Sequence, residues 1–237
     1  MKITKILNFL LELLYPEVCV FCGRVYKMHI CTQCKNKVVY IEQPRCMVCG
    51  KPVRYEETEK CRDCSRNLHH YESGRSLWLH KFPVNCSVYQ FKYHNRRRFA
   101  KFYAQELYRL YHEELKRWKI EIIIPVPLHK KRRKKRGYNQ AEILAKELSK
   151  LLNLPMNQKL VKRVRNTSPQ KQLSTKQRKH NLNNAFAMNT HSVAARSVLV
   201  VDDIYTTGST IDHIALLLKE HGAEKVHFLT ISIGQGF

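Results

Sequence analysis

Eight of the nine cysteines stand in four C-x2-C pairs: Cys19/Cys22, Cys31/Cys34, Cys46/Cys49 and Cys61/Cys64. A C-x2-C turn aims two thiolates at one tetrahedral centre, and two such turns complete a four-cysteine zinc site with Zn–S distances of about 2.3 Å. Gly23 and Gly50 follow the first and third pairs, whereas no glycine follows the second and fourth. The pattern is therefore one unit repeated, with glycine free to take the left-handed backbone of a tight metal-binding turn. This assigns Cys19, Cys22, Cys31 and Cys34 to one zinc and Cys46, Cys49, Cys61 and Cys64 to another. A cross-braced exchange, first turn with third, stays open at this point. Four thiolates leave no free coordination position, so both ions are expected to be structural rather than catalytic. They would staple a span with too little apolar volume to fold alone. A disulfide framework requires a secreted chain. One C-x-x-C would suit a redox pair, but four suit metal better, an iron–sulfur cluster being the other metal reading. Cys86 stands apart in an apolar context and reads as a buried, inert thiol.

A second chemical signal lies at residues 198–211, Val-Leu-Val-Val-Asp-Asp-Ile-Tyr-Thr-Thr-Gly-Ser-Thr-Ile. An apolar strand over 198–201 delivers Asp202 and Asp203 to a sheet edge. The turn Thr206, Thr207, Gly208, Ser209 and Thr210 then opens a helix. Free amides at a helix start, surrounded by hydroxyls, form a phosphate nest, and Gly208 lets the backbone approach an anion closely. Carboxylates beside such a nest would repel phosphate, so they are expected to accept hydrogen bonds from sugar hydroxyls. The bland alternative is an acidic turn followed by a Thr/Ser helix cap.

The elements needed to position these groups can be read from periodicity. Residues 88–91 read as a short strand, and Phe99, Phe102, Tyr103, Leu107, Leu110 and Tyr111 repeat at helical spacing. Ile122, Ile123 and Ile124 form a buried strand ended by Pro125. A helix is expected over 141–152, with Asn139 as its cap. Residues 160–164 read as a strand, 165–184 as a long polar stretch, 210–221 as a helix stopping before Gly222, and 226–231 as a strand. Strands alternating with helices imply an α/β parallel sheet, in which ligands bind at the carboxyl ends of the strands. The organisation that follows is an amphipathic helix over 1–16, two zinc ribbons over 17–70 and an α/β domain over 84–237.

The first 14 residues, apolar and led by Lys2 and Lys5, resemble a short secretory signal. Glu12 interrupts them, no small-residue cleavage site follows, and Pro16 and Glu17 before Cys19 do not suit lipoprotein processing. Ile3, Ile6, Leu7, Leu10 and Leu14 instead recur at helical spacing, giving a helix docked on the core, with membrane-surface contact as the other reading. No apolar run approaches the ~18 residues required to cross a bilayer. A cytoplasmic location is expected, with the inner face of the membrane as a variant of it.

Composition narrows the partners. The chain has 237 residues, 43 Lys and Arg against 19 Asp and Glu, and a net charge of +24. Two four-thiolate zinc centres would lower this to roughly +20. Hydrophobic residues at 43% exclude wholesale disorder. Such a surplus exceeds what solubility needs and implies polyanions: nucleic acid, phosphorylated metabolites or an acidic membrane face. Lys130, Lys131, Arg132, Arg133, Lys134, Lys135 and Arg136 form an unbroken basic run, read as a solvated, extended loop that follows a nucleic-acid backbone. The alternative is that the run only balances phosphates or keeps the chain soluble. Arg96, Arg97 and Arg98 and the lysines and arginines of 159–179 add to it, and Tyr93 and Tyr138 are candidates for stacking on bases.

Segment 198–211 resembles the phosphoribosyl pyrophosphate (PRPP) motif of type I phosphoribosyltransferases. The resemblance extends to the ComF family of competence proteins, in which a cysteine-rich zinc module precedes such a domain. Ile123-Ile124-Pro125-Val126-Pro127-Leu128 and Arg136-Gly137-Tyr138-Asn139-Gln140 are similar to that family's internal motifs, as are Gln170, Leu173, Arg178, Asn181 and Phe186. The resemblance implies that Asp202 and Asp203 grip the ribose 2′- and 3′-hydroxyls, and that Thr206 through Thr210 hold the 5′-phosphate. It implies further that residues 125–128 face the pyrophosphate, that 165–184 is a mobile loop closing over PRPP, and that magnesium rides on the pyrophosphate. It also implies a cytosolic accessory role in DNA uptake, with single-stranded DNA and a competence helicase as partners.

Two functions compete on the sequence. One is a PRPP- and single-stranded-DNA-binding factor for natural transformation. The other is an active phosphoribosyltransferase on an unidentified acceptor. Transfer needs an acceptor pocket and a lid that excludes water, and no acceptor-selecting residue can be named. No cysteine follows Met1, so the nucleophile of a glutamine amidotransferase half is absent.

Overall fold

The computed structural model describes residues 16–165 and 185–234. Four parallel strands form the sheet: β1 (Ser73–Leu79), β2 (Ile122–Pro125), β5 (Ser197–Tyr205) and β6 (Lys225–Ile233), in the order β1-β6-β5-β2. A small antiparallel hairpin, β3 (Val161–Arg163) with β4 (Phe186–Met188), stands beside it. The helices are α1 (Thr32–Lys35), α2 (Arg62–Arg66), α3 (Val84–Tyr93), α4 (Phe99–Arg117), α5 (Lys130–Arg136), α6 (Gln140–Leu152) and α7 (Ser209–Glu220). Among the described residues, no helix is long and apolar enough to cross a membrane.

Strand alternation sorts the sheet residues into two cores. Leu199, Val201, Leu229 and Ile231 face one way and pack with Phe99, Tyr103 and Leu107 of α4 and Leu144 and Leu148 of α6. Val198, Val200, Val226 and Phe228 face the other way, toward Ile211, Ile214 and Leu218 of α7 and Phe186 of β4. The cysteine units straddle this sheet. Cys19, Cys31 and Cys34 belong to the first core, and Cys46, Cys49, Cys61 and Cys64 to the second.

Several sequence expectations are met. Asn139 caps α6, its side chain accepting from Ala141 N, and the strands and helices expected around Ile123, Val200, Ile214 and Phe228 are present.

Others are corrected. Residues 88–91 lie in α3, because Val84, Ser87, Val88 and Phe91 are buried at helical spacing; a short apolar run does not separate strand from helix. The 130–136 run is helix α5 rather than an extended loop. His129 caps its start by accepting from Lys131 N, and Gly137, at φ +79°, closes it by donating to Arg133 O. Its cationic tips radiate away from the axis, and Lys and Arg carry good helix propensity. Cys86 is exposed on α3. Tyr138 is buried with its hydroxyl donating to Phe91 O, so it offers no face to a base. Strand β5 runs on through both acids to Tyr205 instead of stopping before them. The sheet also begins upstream of residue 84, with β1 pairing to β6 along its length.

The helix expected over residues 1–16, and residues 166–184 of the polar stretch with Gln170, Leu173, Arg178 and Asn181, lie outside the described residues.

Candidate ligand pocket and metal centres

Both cysteine units converge in sequence order. The Sγ atoms of Cys19, Cys22, Cys31 and Cys34 lie within 4.8 Å of one another, and so do those of Cys46, Cys49, Cys61 and Cys64. The first turn therefore pairs with the second and the third with the fourth, which closes the cross-braced alternative. Cys22 and Cys31 sulfurs are 3.7 Å apart, and those of Cys49 and Cys61 are 3.5 Å apart. Zn–S bonds of about 2.3 Å arranged tetrahedrally place sulfurs roughly 3.8 Å apart, so both donor sets fit zinc and none of these cysteines is disulfide-bonded. Gly23 and Gly50 take φ +75° and +74°, as the repeated glycine required.

At the carboxyl ends of β2 and β5 a cavity of about 320 Å³ opens. Its floor is Asp202 and Asp203; one wall is Val126, Pro127 and Leu128, and the turn contributes Thr206 and Thr210. Asn139 shapes that wall, donating from Nδ2 to Val126 O at 3.0 Å while its other end caps α6. Gly208 takes φ +77° and sits at the N-cap of α7. Thr207 and Ser209 hydroxyls pair at 2.9 Å and face a neighbouring cavity of about 300 Å³ on the other side of the turn. The segment 202–210 thus divides, and Asp202, Asp203, Thr206 and Thr210 meet the larger pocket.

Cations crowd the same space. Lys92 Nζ lies 2.8 Å from Asp203 Oδ1, and Arg132, Arg136 and Arg163 complete the lining with Tyr93 and His80. Burial, then repulsion from Arg132, pushes Arg163 down to about 10. Burial and Arg136 likewise lower Arg132. Withdrawal from water, then the charge of Asp203, raises Asp202 to about 7, although Asp203 N donates to its Oδ1 at 2.8 Å. Four cations and two mutually repelling carboxylates sharing one cavity are the environment of a ligand site.

The basic helix splits by face. Arg132 and Arg136, one turn apart, are half-buried and turn into the pocket, whereas Lys130, Lys131, Arg133, Lys134 and Lys135 are exposed. Arg136 donates to Tyr93 Oη at 2.9 Å and to Gln140 Oε1 at 3.0 Å. Sequence reasoning missed Lys92, His80 and Arg163. Lys92 and His80 stand in unremarkable contexts and Arg163 is one of several basic residues near it in sequence; only the packing of α3, the end of β1 and β3 against the strand ends brings them to the pocket.

Residues 104–232 match the phosphoribosyl transferase domain family, over half of the chain. The chain belongs to the phosphoribosyl transferase family. Residues 10–65 match the double zinc ribbon domain, so a zinc-ribbon module precedes the phosphoribosyl transferase domain. The protein is homologous to competence protein F of Haemophilus influenzae, at 38% identity over 149 residues, 61% of this chain and 65% of that protein. It is similar to the DNA utilization protein YhgH of Escherichia coli K12, 42% identical over 104 residues, 44% of this chain and 45% of that one. Competence protein ComFC of Bacillus subtilis is 33% identical over 102 residues, 43% of this chain and 39% of its own. The matched region thus spans less than two thirds of each relative. A purine phosphoribosyltransferase from Pyrococcus horikoshii aligns over 56% of this chain and 74% of its own, at 17% identity and TM-score 0.37.

Proposed function

We propose that the pocket at the ends of β2 and β5 binds PRPP, and that the protein is an accessory factor in DNA uptake that holds single-stranded DNA on its basic face. One observation carries the reading: two carboxylates adjoin Lys92, Arg132, Arg136 and Arg163 and a glycine turn that opens a helix. A phosphate-only ligand would avoid the acids, and a neutral sugar would not need the cations. A pentose bearing phosphate at one end and pyrophosphate at the other uses both. Asp202 and Asp203 accept from the ring hydroxyls, and the amides of the 206–210 turn with the hydroxyls of Thr206 and Thr210 hold the 5′-phosphate. The arginines of α5 and β3 neutralise the pyrophosphate, and magnesium, when bound with the ligand, would share that charge.

The relatives' names, competence and DNA utilization, support the DNA-uptake assignment. The exposed cations of α5, of which Arg133 is paired with Glu142, support a polyanion there, and the turning of Arg132 and Arg136 into the pocket supports separate faces for polymer and metabolite. A competence helicase partner remains part of the proposal, resting on the family alone.

Phosphoribosyl transfer is the second reading, favoured by the opening of the pocket at the half-exposed Tyr93, where an acceptor would have to share the ring with the Arg136 guanidinium 4.7 Å from its centroid.

Two multiple variants test the split. Serine at Arg132 and Arg136 is expected to abolish PRPP binding in calorimetry while sparing DNA. Serine at Lys130, Lys131, Arg133, Lys134 and Lys135 is expected to spare PRPP and flatten the salt dependence of single-strand binding by about 0.7 log unit per lost contact. If both variants lose both ligands equally, or neither loses either, the assignment is wrong.

A further inference from the structure

The turn that follows the paired acids is held on both sides by a single neighbour. Upstream, Tyr205 closes β5, and a Cβ at Gly208 would lie 2.4 Å from Tyr205 Oη, so the turn rests directly on this phenol. The ring stacks on Phe228 at 4.8 Å and 7°, and its hydroxyl lies 2.6 Å from that of Tyr71. Downstream, Asp212 in the first turn of α7 accepts from His70 N at 2.7 Å and lies 3.4 Å from His69 Nδ1. His69 in turn stacks on Tyr71 at 4.7 Å.

His69, His70 and Tyr71 follow directly on α2, the helix that carries Cys64. The opposite arm of the same cysteine unit reaches the same ring. Lys51, two residues beyond Cys49, is buried with Nζ 5.9 Å from the Tyr205 ring centroid and 2.5 Å from Asp63 Oδ2. Its carbonyl accepts from Cys46 N at 2.7 Å. Both arms of the second four-cysteine centre therefore end on the residues flanking 206–208. The first centre lies against the other face of the sheet, Phe21 meeting Trp78 edge-on at 5.4 Å.

We propose that the second four-cysteine unit, Cys46, Cys49, Cys61 and Cys64, positions the 206–208 turn through Tyr71, Lys51 and Asp212, so that metal retention there and phosphoribosyl-ligand binding are thermodynamically linked. The inference rests on reading that turn as the phosphate site. A metal that draws the four sulfurs together fixes both arms, and the arms fix Tyr205 and Asp212. Linkage is reciprocal, so a ligand that needs the turn in this shape must tighten the metal by the same factor that the metal tightens the ligand. Among the described residues the first centre does not reach the turn; it meets α3 instead, Val20 O accepting from Ser87 Oγ, and it serves as the comparison within the same molecule.

The test is pulsed alkylation of the full-length zinc-loaded protein under a zinc-selective chelator, with each cysteine read by peptide mass spectrometry, with and without PRPP and magnesium. Calorimetry of PRPP binding runs alongside. PRPP is expected to slow alkylation of Cys46, Cys49, Cys61 and Cys64 by about five-fold or more, the low end of ordinary coupling. Cys19, Cys22, Cys31, Cys34 and the exposed Cys86 are expected to be unaffected. Tyr71→Phe keeps the ring and loses the hydroxyl, and it is expected to halve the protection or more in a protein that still unfolds cooperatively. Asp212→Asn should do the same from the other flank. PRPP binding without selective protection, or full protection in both variants, overturns the linkage and leaves the phosphate reading standing. No PRPP binding by the wild-type protein overturns both.

Discussion

Asp202→Asn should make the protein more stable and less able to bind its ligand. Asp202 is raised from an ordinary value near 3.9 to about 7 by burial and by the charge of Asp203. Each unit corresponds to about 1.4 kcal/mol, so the three-unit difference sets a ceiling of about 4 kcal/mol. Because Asp203 and Lys92 relax together with Asp202, about half of that is the working figure. The folded form holds the proton more tightly than the unfolded chain between about pH 4 and 7, so this group's contribution is fully present below pH 4 and lost as the pH rises through 7. Asparagine carries no charge, and its side-chain oxygen can still accept from Asp203 N. Urea unfolding should therefore show the variant about 2 kcal/mol more stable than wild type near pH 8, the advantage shrinking as the pH falls through 7 and vanishing below about pH 4. PRPP affinity should fall in the same variant, because a ring hydroxyl loses its anionic acceptor. An advantage that does not vary with pH, or a variant weaker than wild type at pH 8, would refute the claim that Asp202 is held against its own charge.

Other outcomes are expected from the same structure. His227 is buried against Trp118, centroids 4.5 Å apart, and burial pushes it down to about 4. It is neutral in the fold, so its contribution is present above pH 6.5 and lost as the pH falls to 4, by up to about 3 kcal/mol. His227→Phe keeps the stacking and should flatten that acid limb in urea titrations. Gly208→Ala places a methyl 2.4 Å from Tyr205 Oη at φ +77°, and should cost at least about 1 kcal/mol in unfolding and remove PRPP binding. Native mass spectrometry should find two zinc ions per chain; a single ion, or mass loss from disulfides, would contradict the two tetrahedral sites.

The legible parts of the sequence were those in which residue type and spacing act locally. The C-x2-C-Gly repeat needs only a short turn to bring two sulfurs together, and the two centres formed as the repeat implied. The run 198–211 carries its strand, its glycine and its helix start within one segment, and Asn139 announces the start of α6. What escaped depends on tertiary packing. Lys92 meets Asp203 only because α3 lies across the strand ends, and Arg163 arrives on a hairpin whose register no local pattern encodes. Residues 130–136 misled because repulsion along the run was weighed without its anchors: the His129 cap, the Gly137 stop and the Arg133–Glu142 ion pair at 3.1 Å. Cys86 shows that an apolar neighbourhood in sequence does not fix burial, for it sits between Val84 and Val88 on the outer face of α3.

The pentose-phosphate assignment is tested most directly by calorimetric titration of PRPP with magnesium into wild-type protein and into an Asp202→Ala, Asp203→Ala double variant. Saturable one-to-one binding by the wild type, lost in the folded double variant, is the expected result. No heat from the wild type, or equal affinity in both proteins, would contradict it.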